Sequence, residues 1–374
     1  MKIQTVKLYH VSLPVKSVFK TAKTALSLRE TLIIEVKDTA GQSGFGECVS
    51  FTEPFYTSET LERSKKILMQ QYLPILLEKE ISYPFDIHKW TDRKTPMAAA
   101  GVENALLDLY ARKHGKNIIS LVFGEKLKHY AEIGVVFGDI PHEELIQNIR
   151  RYQAAGCRRF KIKIKPEDGF EKMEKVKNEF PDLFFLVDAN RSFQLSQMND
   201  VAKYDKLDLL CIEEPFIFEH IEECQDIQKY IRTPICLDES IGTIEELEKA
   251  FQLNMVQMLN VKIGKLGGLY YTKQMIDFCR EKGIRYWIGS MMESGISKIL
   301  HIQLAGLRDV SLPGDLSDSA RYFKRDLITP DISFKNGKME IPIEPGLGVE
   351  IDEEALAAYA IESWIRSVED YEFN

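Results

Sequence analysis

The stretch "RRFKIKIKPEDGFEKMEKVKNEFPDLFFLVDAN" (residues 158–190) decides how the rest of the chain is read. Its first part alternates ammonium and apolar side chains. Successive side chains of a strand point to opposite faces, so Lys161, Lys163 and Lys165 share one face and Ile162 and Ile164 the other. The middle, "GFEKMEKVKNEFP", has helical spacing, and "FFLVDAN" is a second short apolar run. Strand, helix and strand in that order predict a βαβ unit with parallel strands. Lysines along one face of an apolar strand have two explanations: the face is wet, or the lysines work inside the protein.

The same alternation extends in both directions. "AEIGVVFG" precedes the stretch, and "LLCIEEP", "PICLDES", "VQMLNVKIG", "RYWIGSMME" and "VSLPGD" follow it. Between them lie helix-like segments, among them "HEELIQNIRRYQAAG", "SQMNDVAKYDKL", "ECQDIQKYIR", "TIEELEKAFQLN" and "YYTKQMIDFCREKG". Eight strands with intervening helices predict an α/β fold, a modified (β/α)8 TIM-type barrel over residues 126–318, in preference to an open doubly wound sheet. Residues 1–125 read differently, as strands followed by helices, and predict an α+β capping domain. "DTAGQSG" between apolar runs is a hairpin signal. A helix is expected behind Thr57 or Ser58, and another in "PMAAAGVENALLDLYARKHGK". Residues 319–374 leave the alternation and are expected to return to the N-terminal domain.

Composition narrows the function. The chain has 374 residues and a formal charge of -8, so no global cationic field exists to hold nucleic acid or an anionic membrane. No apolar run approaches the roughly 18–20 residues of a bilayer span. The N-terminus reads directly as a strand, without a signal peptide's charged and apolar regions. Six cysteines are scattered without a C-x-x-C pair; they predict buried reduced thiols, a cytoplasmic location and no zinc. "GQSGFG" (41–46) is out of register for a dinucleotide fingerprint, and no G-x-S-x-G elbow occurs.

Catalytic groups of such barrels cluster at the C-terminal ends of the strands. Read in order, the second strand offers Lys161 and Lys163, and the third ends in Asp188 and Asn190. The fourth ends in Glu213 and Glu214, the fifth in Asp238 and Glu239. The sixth carries Asn260 and Lys262, and the seventh ends near Glu293. Each has a bland reading taken alone: Asp188 as a helix cap, "EEP" and "DES" as caps or ion pairs, Lys262 as a surface lysine. Together they point to a site, because five adjacent strands contribute. Three convergent carboxylates repel unless neutralised, and a hard divalent cation with oxygen ligands neutralises them. With no histidine or cysteine at these ends, Mg²⁺ is favoured over zinc.

"KIKIK", "VDAN", "IEEP", "CLDES" and "NVKIGKLGG" resemble the consecutive strand-end motifs of the enolase superfamily, muconate-lactonising-enzyme subgroup. More narrowly, the chain resembles the family shared by o-succinylbenzoate synthases and N-acylamino acid racemases, nearly end to end and including "LPGDLSDSARYF". The resemblance implies catalytic lysines Lys163 and Lys262 on opposite faces of a small carboxylate substrate. It implies Mg²⁺, with Mn²⁺ able to substitute, on Asp188, Glu213 and Asp238. Lys161, Asn190 and Glu239 would tune the lysines and orient the ligands. Glu214 receives no catalytic role. A lysine base must be neutral, so neighbouring cations and a dry mouth are expected to lower the lysine pKa values.

Two reactions share these residues. In o-succinylbenzoate synthesis Lys163 removes the proton α to a carboxylate and a hydroxyl is lost, a step of menaquinone biosynthesis. In racemisation of an N-acylamino acid the two lysines exchange a proton across two faces. Racemising relatives commonly carry arginine in K-x-x-R-x-G-G where this chain has Lys265, which lacks arginine's fork of donors, so synthesis is placed first. A non-catalytic barrel is the distant alternative. Segments 18–30 and 50–57 resemble the loops that shape the family's substrate pocket, and a homo-oligomer is expected.

Overall fold

The computed structural model describes residues 1–20, 25–217, 220–310 and 312–370, with the backbone alone at 17–20 and 25–26. The long hairpin β1 (Ile3–Lys20) and β2 (Ala25–Asp38) is followed by β3 (Ser43–Cys48). The predicted turn lies between β2 and β3, where Asp38 Oδ1 accepts from the amides of Ala40 (2.9 Å) and Gln42 (3.0 Å). Helices α1 (Leu61–Ile67) and α2 (Pro96–Lys113) cover one face of this sheet. The cap of α1 is Thr60, not the expected Thr57 or Ser58. Thr60 is bridged to Phe51, which keeps the chain before it out of a helix.

The barrel strands are β4 (Gly134–Phe137), β5 (Arg159–Lys163), β6 (Phe184–Asp188), β7 (Ile212–Glu213), β8 (Ile235–Leu237), β9 (Met258–Val261) and β10 (Arg285–Ile288). They form one parallel sheet in chain order. At the eighth position the described residues form no regular strand, and Gly314 makes only an isolated parallel bridge to Ile133. Gly134 N–H donates to Gly314 O (2.7 Å), and Asp315 N–H donates to Ile288 O (2.8 Å). Pro313 has no N–H to offer a ladder. Gly314 permits the approach to β10, because a Cβ there would stand 2.6 Å from Ile288 O.

The interior of the barrel follows the period of two. Leu186, Cys211, Cys236, Met258 and Trp287 form one buried cluster. Two residues further along each strand stand Asp188, Glu213, Asp238, Asn260 and Gly289. The intervening Phe160, Ile162, Phe185, Val187, Leu237 and Val261 join the larger core beneath the helices. All six cysteines are buried and unpaired.

Among the helices, "ECQDIQKYIR" is a correction: it forms two 3₁₀ turns, Ile221–Cys224 and Ile227–Lys229. Asp226 between them has φ 59°, outside helical space. Helices α3 (Leu269–Lys282) and α4 (Gly295–Leu304) follow β9 and β10. The last 56 residues divide their contacts: Lys338–Glu340 pairs with Tyr130–Glu132, whereas β11 (Ala360–Ser367) joins β1 as the fourth strand of the cap sheet.

Candidate active site

The strand ends open on a cavity of about 130 Å³. Lys161, Lys163, Asp188, Asn190, Asp238, Glu239 and Lys262 line it, as do Phe51, Phe55 and Tyr56 from the cap. Glu213 lies beneath this lining and is fully buried. The structure thus brings the eight expected residues together. Lys165 is excluded: it lies past the end of β5, with its side chain 44% exposed and paired with Asp139 at 2.6 Å.

Lys161 Nζ sits among three carboxylates, donating to Glu213 Oε1 (2.8 Å) and Asp315 Oδ2 (3.1 Å) and standing 3.2 Å from Asp188 Oδ2. Lys163 donates to Asp188 Oδ2 (3.0 Å) and to Asn190 Oδ1. Asn190 passes the arrangement on by donating from Nδ2 to Glu239 Oε1 (3.0 Å). Lys262 donates to Asp238 Oδ2 and to the Tyr56 hydroxyl (2.9 Å), which in turn donates to Asp238 Oδ1 (2.9 Å). Gly289 makes room for this lysine, since a Cβ there would stand 2.7 Å from Lys262 Cε. Lys163 and Lys262 rise from strands four apart in a ring of eight, hence from opposite walls.

The expected depression of the lysine pKa values is not what this arrangement produces. Burial lowers the pKa of Lys161 and Lys262, but the facing carboxylates outweigh it and hold both above the ordinary range. Burial pushes the carboxyls of Glu213 up to about 8 and Glu239 up to about 7, with neighbouring carboxylates adding to the shift. Against the same burial, Lys161 and Lys163 hold Asp188 low, and Lys262 and Lys265 hold Asp238 low. The site carries more negative charge than its lysines comfortably balance.

That imbalance bears on a metal. Among the described residues no three His, Cys, Asp or Glu side chains are gathered around one point as a ready cage. Lysine ammonium groups stand between the carboxylates instead. Yet the donor set is all oxygen, Glu239 Oε2 has no hydrogen-bond partner, and Glu213 Oε2 accepts none although Lys161 approaches to 2.8 Å. These residues fit a hard divalent cation.

Three side chains at the site escaped the sequence reading. Tyr56 belonged to a segment assigned only to pocket shape. Lys265, weighed only for its departure from arginine, is buried and donates to Asp238 Oδ1 (3.0 Å) and to the Asp238 carbonyl. Asp315, at the end of the eighth segment, joins Lys161 to Arg159. The signal was available in "PGD", a carboxylate at the end of the eighth segment. Glu214, given no catalytic role, is a buried acceptor for the amides of Asp238 and Ser240, each at 2.7 Å. Of segment 18–30, residues 21–24 lie outside the described residues. Arg29 is buried and donates to the carbonyls of Val49, Ser50 and Met292.

A capped (β/α)8 barrel with lysines and carboxylates at its strand ends defines the class. Residues 3–122 match the N-terminal domain model of mandelate racemase and muconate lactonizing enzyme, and residues 144–355 match the enolase C-terminal domain-like model. The chain belongs to this family, within the enolase superfamily, and membership implies a divalent metal. The o-succinylbenzoate synthase of Bacillus subtilis strain 168 is 34% identical over 361 residues, 96% of this chain and 97% of that protein. An N-succinylamino acid racemase of Thermus thermophilus is 30% identical over 354 residues, 94% of this chain and 95% of its own. A crystal structure of an enolase-superfamily member from Listeria innocua superposes with TM-score 0.93 at 30% identity, covering 98% of this chain and 100% of that one.

Proposed function

We propose that the chain is a Mg²⁺-dependent o-succinylbenzoate synthase that dehydrates 2-succinyl-6-hydroxy-2,4-cyclohexadiene-1-carboxylate in menaquinone biosynthesis. The observation that carries this reading is the pair of lysines on opposite walls of one cavity, each tied to a different strand-end carboxylate. Lys163, neutral at the moment of reaction, takes the proton α to the substrate carboxylate. The C–O bond then breaks, and the same ammonium returns the proton to the departing hydroxyl on the same face, giving water and an aromatic ring. Lys262 remains charged on the other face and stabilises the negative charge that develops on the carboxylate carbon unit. Asp188, Glu213 and Asp238 would hold the cation, which supplies positive charge to the substrate carboxylate; Mg²⁺ suits oxygen donors and Mn²⁺ can substitute. Lys161, Asn190 and Glu239 orient these groups.

Residues 1–125 act as the cap, with 319–374 returning towards it, and 126–318 as the barrel that carries the chemistry. Six unpaired cysteines support a cytoplasmic location.

Two opposed lysines also serve racemisation of an N-succinylamino acid, and we keep it as the second reading, in the same site. Lys265 spends its donors on Asp238 and offers no fork to a substrate. Purified enzyme with the cyclohexadiene substrate and Mg²⁺ in deuterated water decides between them. Loss of water to form the aromatic product supports synthesis. Deuterium incorporation into an N-succinylamino acid with no turnover of the cyclohexadiene would reverse the order.

A further inference from the structure

His301 of α4 is 1% exposed and lines no part of the cavity. The Ile263 amide, next in the chain after Lys262, donates to its Nε2 (3.3 Å). Its Nδ1 meets the Ser297 carbonyl (3.1 Å), and Glu293 Oε1 stands 3.6 Å from the same nitrogen. Burial lowers the pKa of the ring; Glu293 and the Ser297 carbonyl oppose this, and Lys262 and Lys298 add to it. The ring is therefore neutral, with one donor and one acceptor nitrogen. Only a bare nitrogen can meet a backbone N–H, so Nε2 is the acceptor and Nδ1 carries the proton. Lys262 leads into the short helix Ile263–Leu266, whose start has no side-chain cap of its own. The Lys262 carbonyl accepts from the Leu266 amide (3.1 Å). Both polar groups of the Lys262–Ile263 peptide are thus held, the C=O by the helix and the N–H by His301. Lys265 hangs from the same turn, so both lysines that meet Asp238 depend on it.

We propose that His301 is a positioning residue for Lys262: its Nε2 fixes the plane of the Lys262–Ile263 peptide, and so the direction from which the Lys262 ammonium faces the substrate. This rests on the reading that Lys262 works on one face of the substrate and Lys163 on the other. Lysine carries its charge on a flexible four-carbon stem, so the ammonium is only as well placed as the backbone beneath it. A displacement of about 1 Å can cost about 10²-fold in rate. A histidine that merely satisfied a buried amide would contribute stability and serve both faces of the site alike. One that positions Lys262 serves a single face.

His301→Leu removes the acceptor at similar volume, and His301→Gln restores one, its amide oxygen falling near the place of Nε2. His301→Asn, whose shorter amide reaches Ser297 but not Ile263, replaces His301→Leu if that variant does not fold. Hydrogen exchange read by mass spectrometry should be at least ~10-fold faster at residues 262–266 in His301→Leu and near the parent in His301→Gln. Dehydration of the cyclohexadiene should lose about 10–10²-fold in kcat with KM little changed, and His301→Gln should recover most of it. The two enantiomers of an N-succinylamino acid in deuterated water separate the faces. The enantiomer whose α-proton exchange is lost in Lys262→Ala should be slowed in His301→Leu, and the one lost in Lys163→Ala should not. A parent chain inactive on both substrates overturns the reading of the barrel, and hydrogen exchange alone then judges the anchor. Equal slowing of both enantiomers overturns the proposal, as does unchanged hydrogen exchange at 262–266, or an unchanged kcat while those amides exchange faster.

Discussion

Each of the two lysines has a separable consequence. Lys163→Ala removes the proposed base and should lower both α-proton exchange and product formation by about 10²–10⁴-fold, the usual range for general acid–base catalysis. Lys262→Arg keeps the charge on the other wall but cannot act as a base at neutral pH. Elimination should survive with a loss of ~10²-fold from misplacement, while racemisation of an N-succinylamino acid disappears. NMR of the α-proton, followed beside product absorbance, reads both reactions. Equal residual elimination in the two variants would move the base to Lys262. Asp238 serves three donors besides the proposed cation, namely Lys262, Lys265 and Tyr56. Asp238→Asn should abolish measurable turnover and weaken Mg²⁺ binding by calorimetry at least ~10-fold, with the circular dichroism unchanged.

At the level of elements, the cap is fastened to the barrel through helix N-termini. Glu47 of β3 accepts from the Ser294 amide (3.0 Å), the Ser294 hydroxyl (2.7 Å) and the Ser297 amide (3.2 Å) at the start of α4. Glu103 of α2 accepts from the amides of Leu269 and Tyr270 (3.2 Å to Oε2) at the start of α3. Gly268 precedes α3 and has no side chain to cap it. A carboxylate from the other domain supplies what the local sequence lacks, and favourably, since it meets the positive end of the helix. Glu103→Ala leaves buried amides unsatisfied and should cost about 1–3 kcal/mol of unfolding free energy in urea. A variant as stable as the parent would show that water replaces the carboxylate without cost.

For the whole molecule the pH dependence follows from the strand-end carboxyls. Glu213 and Glu239 hold their protons up to about 8 and about 7 in the folded chain, against an ordinary 4.5. The folded state then binds more protons than the unfolded one between these values, so stability falls as pH rises from about 4.5 to about 8. Asp188 and Asp238 are shifted down, and their contribution is lost only in acid, below that window. A divalent cation should replace the missing positive charge. The rise in Tm on adding Mg²⁺ should therefore be larger at pH 8 than at pH 6, measured by calorimetry on chelated and reloaded protein. An equal rise at both would place the cation away from these carboxyls.

The sequence by itself placed the barrel strands and the charged side chains at their ends, because both depend on local period. Lys161 and Lys163 alternate with Phe160 and Ile162, and two residues past an interior Leu186, Cys211 or Cys236 stands an acid. What alternation cannot carry is where two distant segments meet. Tyr56 bridges Asp238 and Lys262 only because the cap folds over the barrel mouth. Asp315 reaches Lys161 only because an irregular Pro-Gly segment closes the ring. The protonation of Lys161 and Lys262 likewise waited on the tertiary structure: a nearby cation lowers a lysine and a nearby carboxylate raises it, and only the folded distances decide which prevails.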